Sequence, residues 1–489
     1  MRVLFVTPEC FPLVKTGGLA DVSAALPAAL TKIGVDVRLL LPGYPAVLDG
    51  LSHMHEVGDL ITDLPGTERA RLVLGHMPDG TLAYALDAPA LYARPGNPYL
   101  GPDGKDWPDN AQRFAALSWA AAGFAAHESY DPWWRPDVIH GHDWQTGLMP
   151  AYLRVRPDRF GGPFRPGTVM TIHNIAYQGH FSPHLLGEVG LPASCYAMDG
   201  VEYYGGLGYL KAGCWYADRL TTVSHTYAHE IQTDEQGMGL QGLLSHRTHD
   251  LSGIVNGVDY DVWDPATDPH IAARYSIDNP SGKAVCKTEL QIAYSLERNP
   301  DRPIAGIISR LTWHKGLDMV LENAAAWVAA GGQLAVLGSG EAWMEGGFRH
   351  LADWHPGSVG VRIGYDEALS HRIQAGSDLL LVPSRSEPCG LTQMYAMKYG
   401  TLPLVRRTGG LADTVIDATP AALADGVATG FAFMNATGQE LGFALRRAMA
   451  IYRKPELWNA MRTRAMGRDF GWERPAREYL ELYEGIAAE

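Results

Sequence analysis

Cysteine is scarce in this chain. Cys10, Cys195, Cys214, Cys286 and Cys389 are odd in number and widely scattered, which excludes a dense disulfide framework, and the absence of any C-x-x-C spacing argues against structural zinc. Reduced thiols in a cytoplasmic protein are the expectation. Long hydrophobic runs are missing as well. The longest, roughly Phe114 to Ala126, carries Ser118, falls short of the ~20 residues that span a bilayer, and reads as a buried helix. Positive charge is short, with Lys+Arg 40 against Asp+Glu 54 and a net charge of −14. That balance argues against broad binding to nucleic acid or an anionic membrane, while leaving room for a local basic pocket around a phosphorylated ligand. The opening Met1-Arg2-Val3-Leu4-Phe5-Val6-Thr7 lacks the charged, apolar, small-residue order of a secretory leader and reads as a strand. No G-x-G-x-x-G dinucleotide fingerprint follows any expected strand.

What is present is a long chain with a strand–helix rhythm. A length of 489 residues with 46% hydrophobic content exceeds what one core serves, so two or more domains are expected. Val3 to Val6 is a continuous apolar run, the pattern of a strand buried on both faces. A Pro- and Gly-containing loop, a helical stretch from about Leu19 to Lys32, a stop at Gly34 and a second strand at Val37 to Leu41 complete one βαβ unit. Further strands are expected at Asp137–His140, Thr168–Ile172 and Arg219–Val223. The C-terminal half repeats the rhythm at Ile304–Ser309, Leu334–Leu337, Val359–Ile363, Leu379–Val382 and Leu402–Val405. The alternation implies α/β domains with parallel sheets covered on both sides, with ligands at the carboxyl ends of the strands. A boundary is expected in the Asp-, Gly- and Pro-rich stretch Asn256–Pro269, dividing the chain into residues 1–258 and 259–469. Residues 470–489 are expected to form an amphipathic helix packing back on the first domain.

Chemistry-bearing residues fall where strands end. Lys15, Gly17 and Gly18 lie between the first strand and first helix; two glycines admit a ligand close to the backbone, the helix start offers N–H groups, and the lysine adds charge. The same residues also fit a plain tight turn with a surface lysine. Arg310 and Lys315, in Ser309-Arg310-Leu311-Thr312-Trp313-His314-Lys315-Gly316, follow a strand of the second half. Two cations there suit a pyrophosphate leaving group, or are simply solvated. Glu387 follows Leu379–Val382, with Gly390 expected to open the next helix. This carboxylate suits sugar hydroxyls or a developing oxocarbenium, or serves a helix dipole. Cys389 beside it reads as a buried structural thiol. In His140-Gly141-His142-Asp143-Trp144, a metal site is disfavoured because no further ligand cluster recurs; Asp143 is expected to bind hydroxyls and Trp144 to pack a sugar ring face. His173-Asn174 again sits at a strand end. Asp259-Tyr260-Asp261 matches the D-x-D metal pattern but lies in the expected interdomain loop and is read as structural.

Taken in order, these segments resemble the bacterial glycogen synthase and plant starch synthase family of retaining glucosyltransferases. The resemblance rests on KTGGLADV from Lys15, RPGNPY from Arg94, HGHDW from His140, TIHNIAYQG from Thr171, NGVD from Asn256, SRLTWHKG from Ser309, EPCGLTQ from Glu387 and RRTGGLADTV from Arg406. It implies a GT-B fold, two Rossmann-like domains facing across a deep cleft, and transfer of glucose from ADP-glucose to the non-reducing 4-hydroxyl of an α-1,4-glucan, with no metal or other cofactor. It further implies that Arg310 and Lys315 neutralise the diphosphate and that Glu387 lies against the donor glucose. Cys389, Gly390 and Leu391 would line the sugar subsite through backbone groups, and Thr392 would touch phosphate. His173 would hydrogen-bond the glucose near its 6-hydroxyl; Asp143, Asn174, Asn256 and Tyr99 would complete the sugar pocket. Lys15 and Gly18 would lie near donor and acceptor, Asp21 on the acceptor side, and Tyr365 near adenine. Two departures, Ser386 where the family commonly has an aromatic and Gly471 before Trp472 where it has serine, touch packing rather than chemistry.

Retaining hydrolases use two carboxylates, and Glu387 has no evident nucleophilic partner, so the expected mechanism is a same-face displacement in which the departing phosphate accepts the acceptor's proton. A different GT-B sugar-nucleotide enzyme and a non-catalytic glucan-binding relative are the alternatives. The preference for ADP over UDP comes from the resemblance alone.

Overall fold

The computed structural model describes residues 1–126, 130–162 and 165–487, so the last two residues of the expected C-terminal segment lie outside it. Two compact units emerge: Met1–Gly257 with Trp472–Glu489, and Val258–Gly471.

The first unit carries β1 (Arg2–Val6), β2 (Asp36–Pro42), β3 (Ser52–Asp59), β4 (Arg71–His76), β5 (Leu82–Asp87), β6 (Val138–His142), β7 (Gly167–Ile172), β8 (His180–Phe181), β9 (Glu202–Tyr203), β10 (Gly206–Gly208), β11 (Arg219–Thr222) and β12 (Leu251–Gly253). Nine of them form one sheet in the order β12-β11-β7-β6-β1-β2-β5-β4-β3, and β8-β10-β9 form a small separate sheet. Val3 to Val6 are fully buried, as their unbroken apolar run requires when helices cover both faces. The helix Gly18–Lys32 packs there, and the helix Asn110–Gly123, with every residue but Gln112 buried, fills the interior.

The large sheet is parallel from β12 to β5 but ends in the antiparallel strands β4 and β3. The sequence reading missed this edge for a physical reason. β3 is largely exposed, so it has no apolar face and no period-two pattern to detect. Its neighbours did leave a signal: Asp79-Gly80 between apolar runs marks the β4–β5 hairpin, and Asp79 accepts from the Thr81 backbone N–H at 2.9 Å.

The second unit is all parallel. Its strands are β13 (Ile304–Ile308), β14 (Gln333–Gly338), β15 (Val359–Ile363), β16 (Leu379–Val382), β17 (Leu402–Arg406) and β18 (Phe431–Phe433). They lie in the order β15-β14-β13-β16-β17-β18, the doubly wound 3-2-1-4-5-6 arrangement. Each unit therefore has a topological switch point, β1/β6 in the first and β13/β16 in the second, where successive connections depart to opposite sides.

One device recurs at the amino ends of these strands. An aspartate just before a strand accepts an N–H from the first two residues of its neighbour: Asp137 from Arg2 at 2.7 Å, Asp218 from Thr168 at 2.8 Å, Asp378 from Ile304 at 2.9 Å. Each bond satisfies an amide that the ladder leaves unpaired and pins the register of a central strand pair.

The terminal helix Glu473–Ala487 packs on the helix Gly18–Lys32 and on β6 and β7. Its Tyr479, Tyr483 and Ile486 are buried, and the Tyr483 hydroxyl lies 2.7 Å from Nδ1 of the buried His140. Tyr483→Ala is expected to destabilise the first unit by about 3–5 kcal/mol, and Tyr483→Phe by about 1 kcal/mol. Denaturant unfolding of both variants checks this; equal losses would mean that the ring contributes nothing beyond its hydroxyl.

Candidate active site in two half-sites

In the first unit the site residues gather at the carboxyl ends of β1, β6 and β7. The loop after β1 is organised by Glu9, a buried carboxylate that accepts from the Thr16 backbone N–H at 2.5 Å and its hydroxyl at 2.8 Å, while Tyr99 donates to its other oxygen at 3.3 Å. Burial raises the Glu9 carboxyl above its ordinary value against these hydrogen bonds. The result presents Lys15, whose ammonium pairs with Asp21 at 2.9 Å on a half-exposed surface. No atom lies within 4 Å of where a Cβ on Gly17 or Gly18 would stand, so the space beside the backbone is open. Sequence reasoning overlooked Glu9; its position three residues past β1, ahead of the glycine pair, was the available signal.

After β6 the backbone turns sharply at Asp143, held at φ 58°, a conformation disfavoured for a side-chain-bearing residue. Its carboxylate accepts the His173 backbone N–H at 2.7 Å and also bonds the Asn174 amide. The side chain expected to bind hydroxyls is thus already engaged in holding the β7 loop. Burial raises its carboxyl to about 7, opposed by those two amides. His173 is half-buried with its Nε2 2.9 Å from His142 Nδ1, and burial lowers its pKa to about 3. Asn174 accepts from the Ala176 N–H at 3.0 Å. Asn256 is buried, and its side-chain oxygen has no hydrogen-bond partner among the described residues. Trp144, expected to face a sugar, is partly buried and packs edge-on to Phe114 at 5.0 Å and beside Phe181 at 5.6 Å.

In the second unit the carboxyl ends of β13 and β16 bound a cleft of about 200 Å³ lined by Arg310, Lys315, Ser384, Glu387, Gly390, Leu391 and Thr392, among others. Lys315 Nζ lies 2.6 Å from Glu387 Oε2, and Ser384 donates to the same oxygen at 2.8 Å. Arg310 is exposed, and no ion pair reaches it among the described residues. The two loops are fastened by Arg385, whose guanidinium grips both oxygens of Asp318 at 2.7 Å and stacks 3.9 Å from the Trp313 ring. Gly390 has φ 67°, and the helix begins at Thr392 rather than at the glycine. A Cβ on Gly409 would stand 1.9 Å from the Glu387 carbonyl oxygen, so the second glycine pair serves the close packing that presents Glu387. Cys389 is buried and does not line the cleft; its carbonyl accepts from Gln393 at 3.2 Å. Tyr365 is 78% exposed and donates to Glu367.

Asp259-Tyr260-Asp261 forms a turn in which Asp259 accepts the Asp261 N–H at 2.9 Å and Tyr260 accepts the Phe470 N–H at 2.7 Å. Among the described residues no three His, Cys, Asp or Glu side chains gather as a metal site, and no helix is long and apolar enough to cross a membrane.

Residues 2–246 match the family described as starch synthase catalytic domain, and residues 291–460 match glycosyl transferases group 1. A glycogen synthase of Rhodopseudomonas palustris is 52% identical over 489 residues, covering 100% of this chain and 99% of its own. One from Paramagnetospirillum magneticum is 49% identical over 487 residues, covering 99% and 98%. The solved catalytic domain of starch synthase IV from Arabidopsis thaliana, bound to ADP and acarbose, superposes with a TM-score of 0.86 at 31% identity, covering 100% of this chain and 99% of that one.

Asp143 generates a signed prediction. Its carboxyl titrates near 7 in the folded chain against an ordinary 3.8, so the folded state binds the proton more tightly than the unfolded. Its contribution to stability is full below about pH 4 and is lost as pH rises to about 7. Asp143→Asn removes that dependence, so the Tm of the variant minus that of the native protein is expected to rise by about 2 °C or more between pH 5 and pH 8. Thermal scans across that range measure it, and a pH-independent difference would refute the raised carboxyl.

Proposed function

The chain belongs to the glycogen and starch synthase family of glycosyltransferases, and from that premise we propose that it lengthens an α-1,4-glucan by one glucose from ADP-glucose, at the non-reducing 4-hydroxyl and with retention of configuration. The family acts on a nucleotide-sugar donor and a glucan acceptor, so the chain is a glucosyltransferase. ADP is favoured as the nucleotide because the starch synthase relative of matching fold was solved with ADP bound.

The observation that carries the reading is the cleft at the β13/β16 switch point, with Arg310, Lys315 and Glu387 on one rim. As a glycosyl bond to a diphosphate breaks, negative charge grows on the phosphate oxygens, and two fixed cations lower that barrier. Lys315 is held by Glu387, and Arg310 is exposed at the same cleft with no ion pair among the described residues, so both stand where the donor's phosphates would meet them. Glu387, set by Ser384 and Lys315, faces the donor glucose as that sugar gains positive character. No second carboxylate accompanies it in the cleft lining, which favours same-face attack with the leaving phosphate taking the acceptor's proton. Gly390, Leu391 and Thr392 line the donor side, and Tyr365 offers an exposed ring to adenine. In the first unit His173, Asn174, Asn256 and Tyr99 serve the glucosyl group, and Lys15, Gly18 and Asp21 the acceptor. Asp143 acts by fixing the His173 loop. No metal or cofactor is assigned.

Incubation with maltooligosaccharides is expected to give elongation by one glucose with ADP release from ADP-glucose, and slower turnover with UDP-glucose. No transfer from either donor would favour a glucan-binding protein. Arg310→Ala and Lys315→Ala are each expected to lower kcat by about tenfold or more, whereas Asp259→Asn and exhaustive EDTA treatment leave most activity. Near-normal kinetics in both cation variants would remove the diphosphate assignment, and a requirement for added Mg²⁺ or Mn²⁺ would restore the D-x-D reading.

A further inference from the structure

His142 has no role in the chemistry above, yet it touches the residue that does. It is fully buried and packs against the Phe5 ring, 4.0 Å away at 29°, and against His140, 4.0 Å away at 37°. Its Nδ1 is 2.9 Å from His173 Nε2. Its Nε2 is buried and has no hydrogen-bond partner among the described residues.

Burial keeps His140, His142 and His173 uncharged at neutral pH, and a neutral imidazole carries a single N–H. One proton therefore lies between His142 and His173, and only two arrangements exist. If His173 donates from Nε2, the proton of His142 sits on its own Nε2, an N–H buried without an acceptor. If His142 donates from Nδ1, its Nε2 is a bare lone pair. An orphaned buried N–H is rarer and costlier than an under-used acceptor, so the second arrangement wins. It leaves the proton of His173 on Nδ1, the nitrogen not taken up by His142.

The geometry points to His142 as a positioning residue that locks His173 in its Nδ1–H tautomer, so that His173 meets the substrate as a hydrogen-bond donor and not as a base. This rests on the reading of His173 as the residue that contacts the glucosyl group. Adjacent residues divide the work: His142 sets the ring of His173, while Asp143 holds its backbone amide. A donor fixed in advance on a sugar oxygen costs no reorganisation when the glycosyl bond breaks, whereas the opposite tautomer could only accept from a sugar hydroxyl and would offer no N–H to an oxygen lone pair.

Two substitutions separate this role from simple packing. His142→Phe keeps an aromatic ring in the stack but removes the donor. His142→Asn loses the ring but offers a side-chain N–H from nearly the position of Nδ1. The tautomer lock predicts that His142→Phe lowers kcat by about tenfold or more with donor KM changed less than about threefold, while His142→Asn stays closer to the native kcat. A packing role predicts the reverse order, and that order would overturn the proposal. A second readout needs no activity. In ¹⁵N-histidine-labelled native protein, with His173 assigned by its loss in His173→Gln, Nδ1 is expected to be protonated and Nε2 bare. A protonated His173 Nε2 would overturn the lock. Absence of glucose transfer by the native protein would defeat the proposed function instead, and the spectrum alone would then decide the tautomer.

Discussion

A carboxylate withdrawn from water needs N–H or O–H groups or a cation around it, and the ends of parallel strands are where backbone amides are left over to supply them. Both units are organised by that exchange. At the amino ends, Asp137, Asp218 and Asp378 take an amide from the first two residues of a neighbouring strand. At the carboxyl ends, Glu9 holds the Thr16 amide and Asp143 the His173 amide, while Glu387 takes Lys315 and Ser384. The first set fixes the register of the sheets, and the second fixes the loops on which the candidate chemistry stands.

Asp218 on one side, and Glu9 and Asp143 on the other, differ in how far hydrogen bonds offset burial. For Asp218, burial is outweighed by hydrogen bonds from Thr168 and Arg165, and its carboxyl lies below the ordinary value. For Glu9 and Asp143 burial prevails, and both carboxyls lie above it. Asp143 adds a left-handed backbone, a strain of about 1–3 kcal/mol. Rigid strands can carry such under-satisfied groups because their own amides are already locked elsewhere. Perturbed carboxyls and strained backbone collecting at one end of a sheet are what a functional edge looks like.

Much of this was legible in the sequence because the signals are local. A continuous apolar run marked β1, the strand–helix rhythm marked β7, β13 and β16, and chemistry-bearing residues past the strand ends marked the loops that bear Lys15, His173, Arg310 and Glu387. What escaped depends on distance along the chain or on rotation at a single residue. Glu9 matters through Thr16 and Tyr99, and Trp144, just past the turn at Asp143, has its ring against Phe114 and Phe181. The Cys389 carbonyl is taken by Gln393, and β3 buries no face. His140 gained its meaning from Tyr483, a helix at the far end of the chain. No spacing rule reports a contact across that separation.

The residues gathered at the carboxyl ends of the two sheets also differ in kind, and on the proposed reading the difference bears on where the acceptor's proton goes. The second unit offers ions: Arg310, Lys315 and Glu387 around one cleft. The first offers, beside the Lys15–Asp21 pair, a His173 ring that stays uncharged until pH falls to about 3. The Asp143 oxygen nearest that loop is occupied by a backbone amide. A ring fixed as a donor cannot accept a proton at that nitrogen, and a carboxyl bound to two backbone amides is committed to holding its loop. On the proposed reading, the group whose basicity rises as the bond breaks is the leaving phosphate itself. Proton transfer to it neutralises charge where charge is growing, and the cations of the second unit remain to hold what is left.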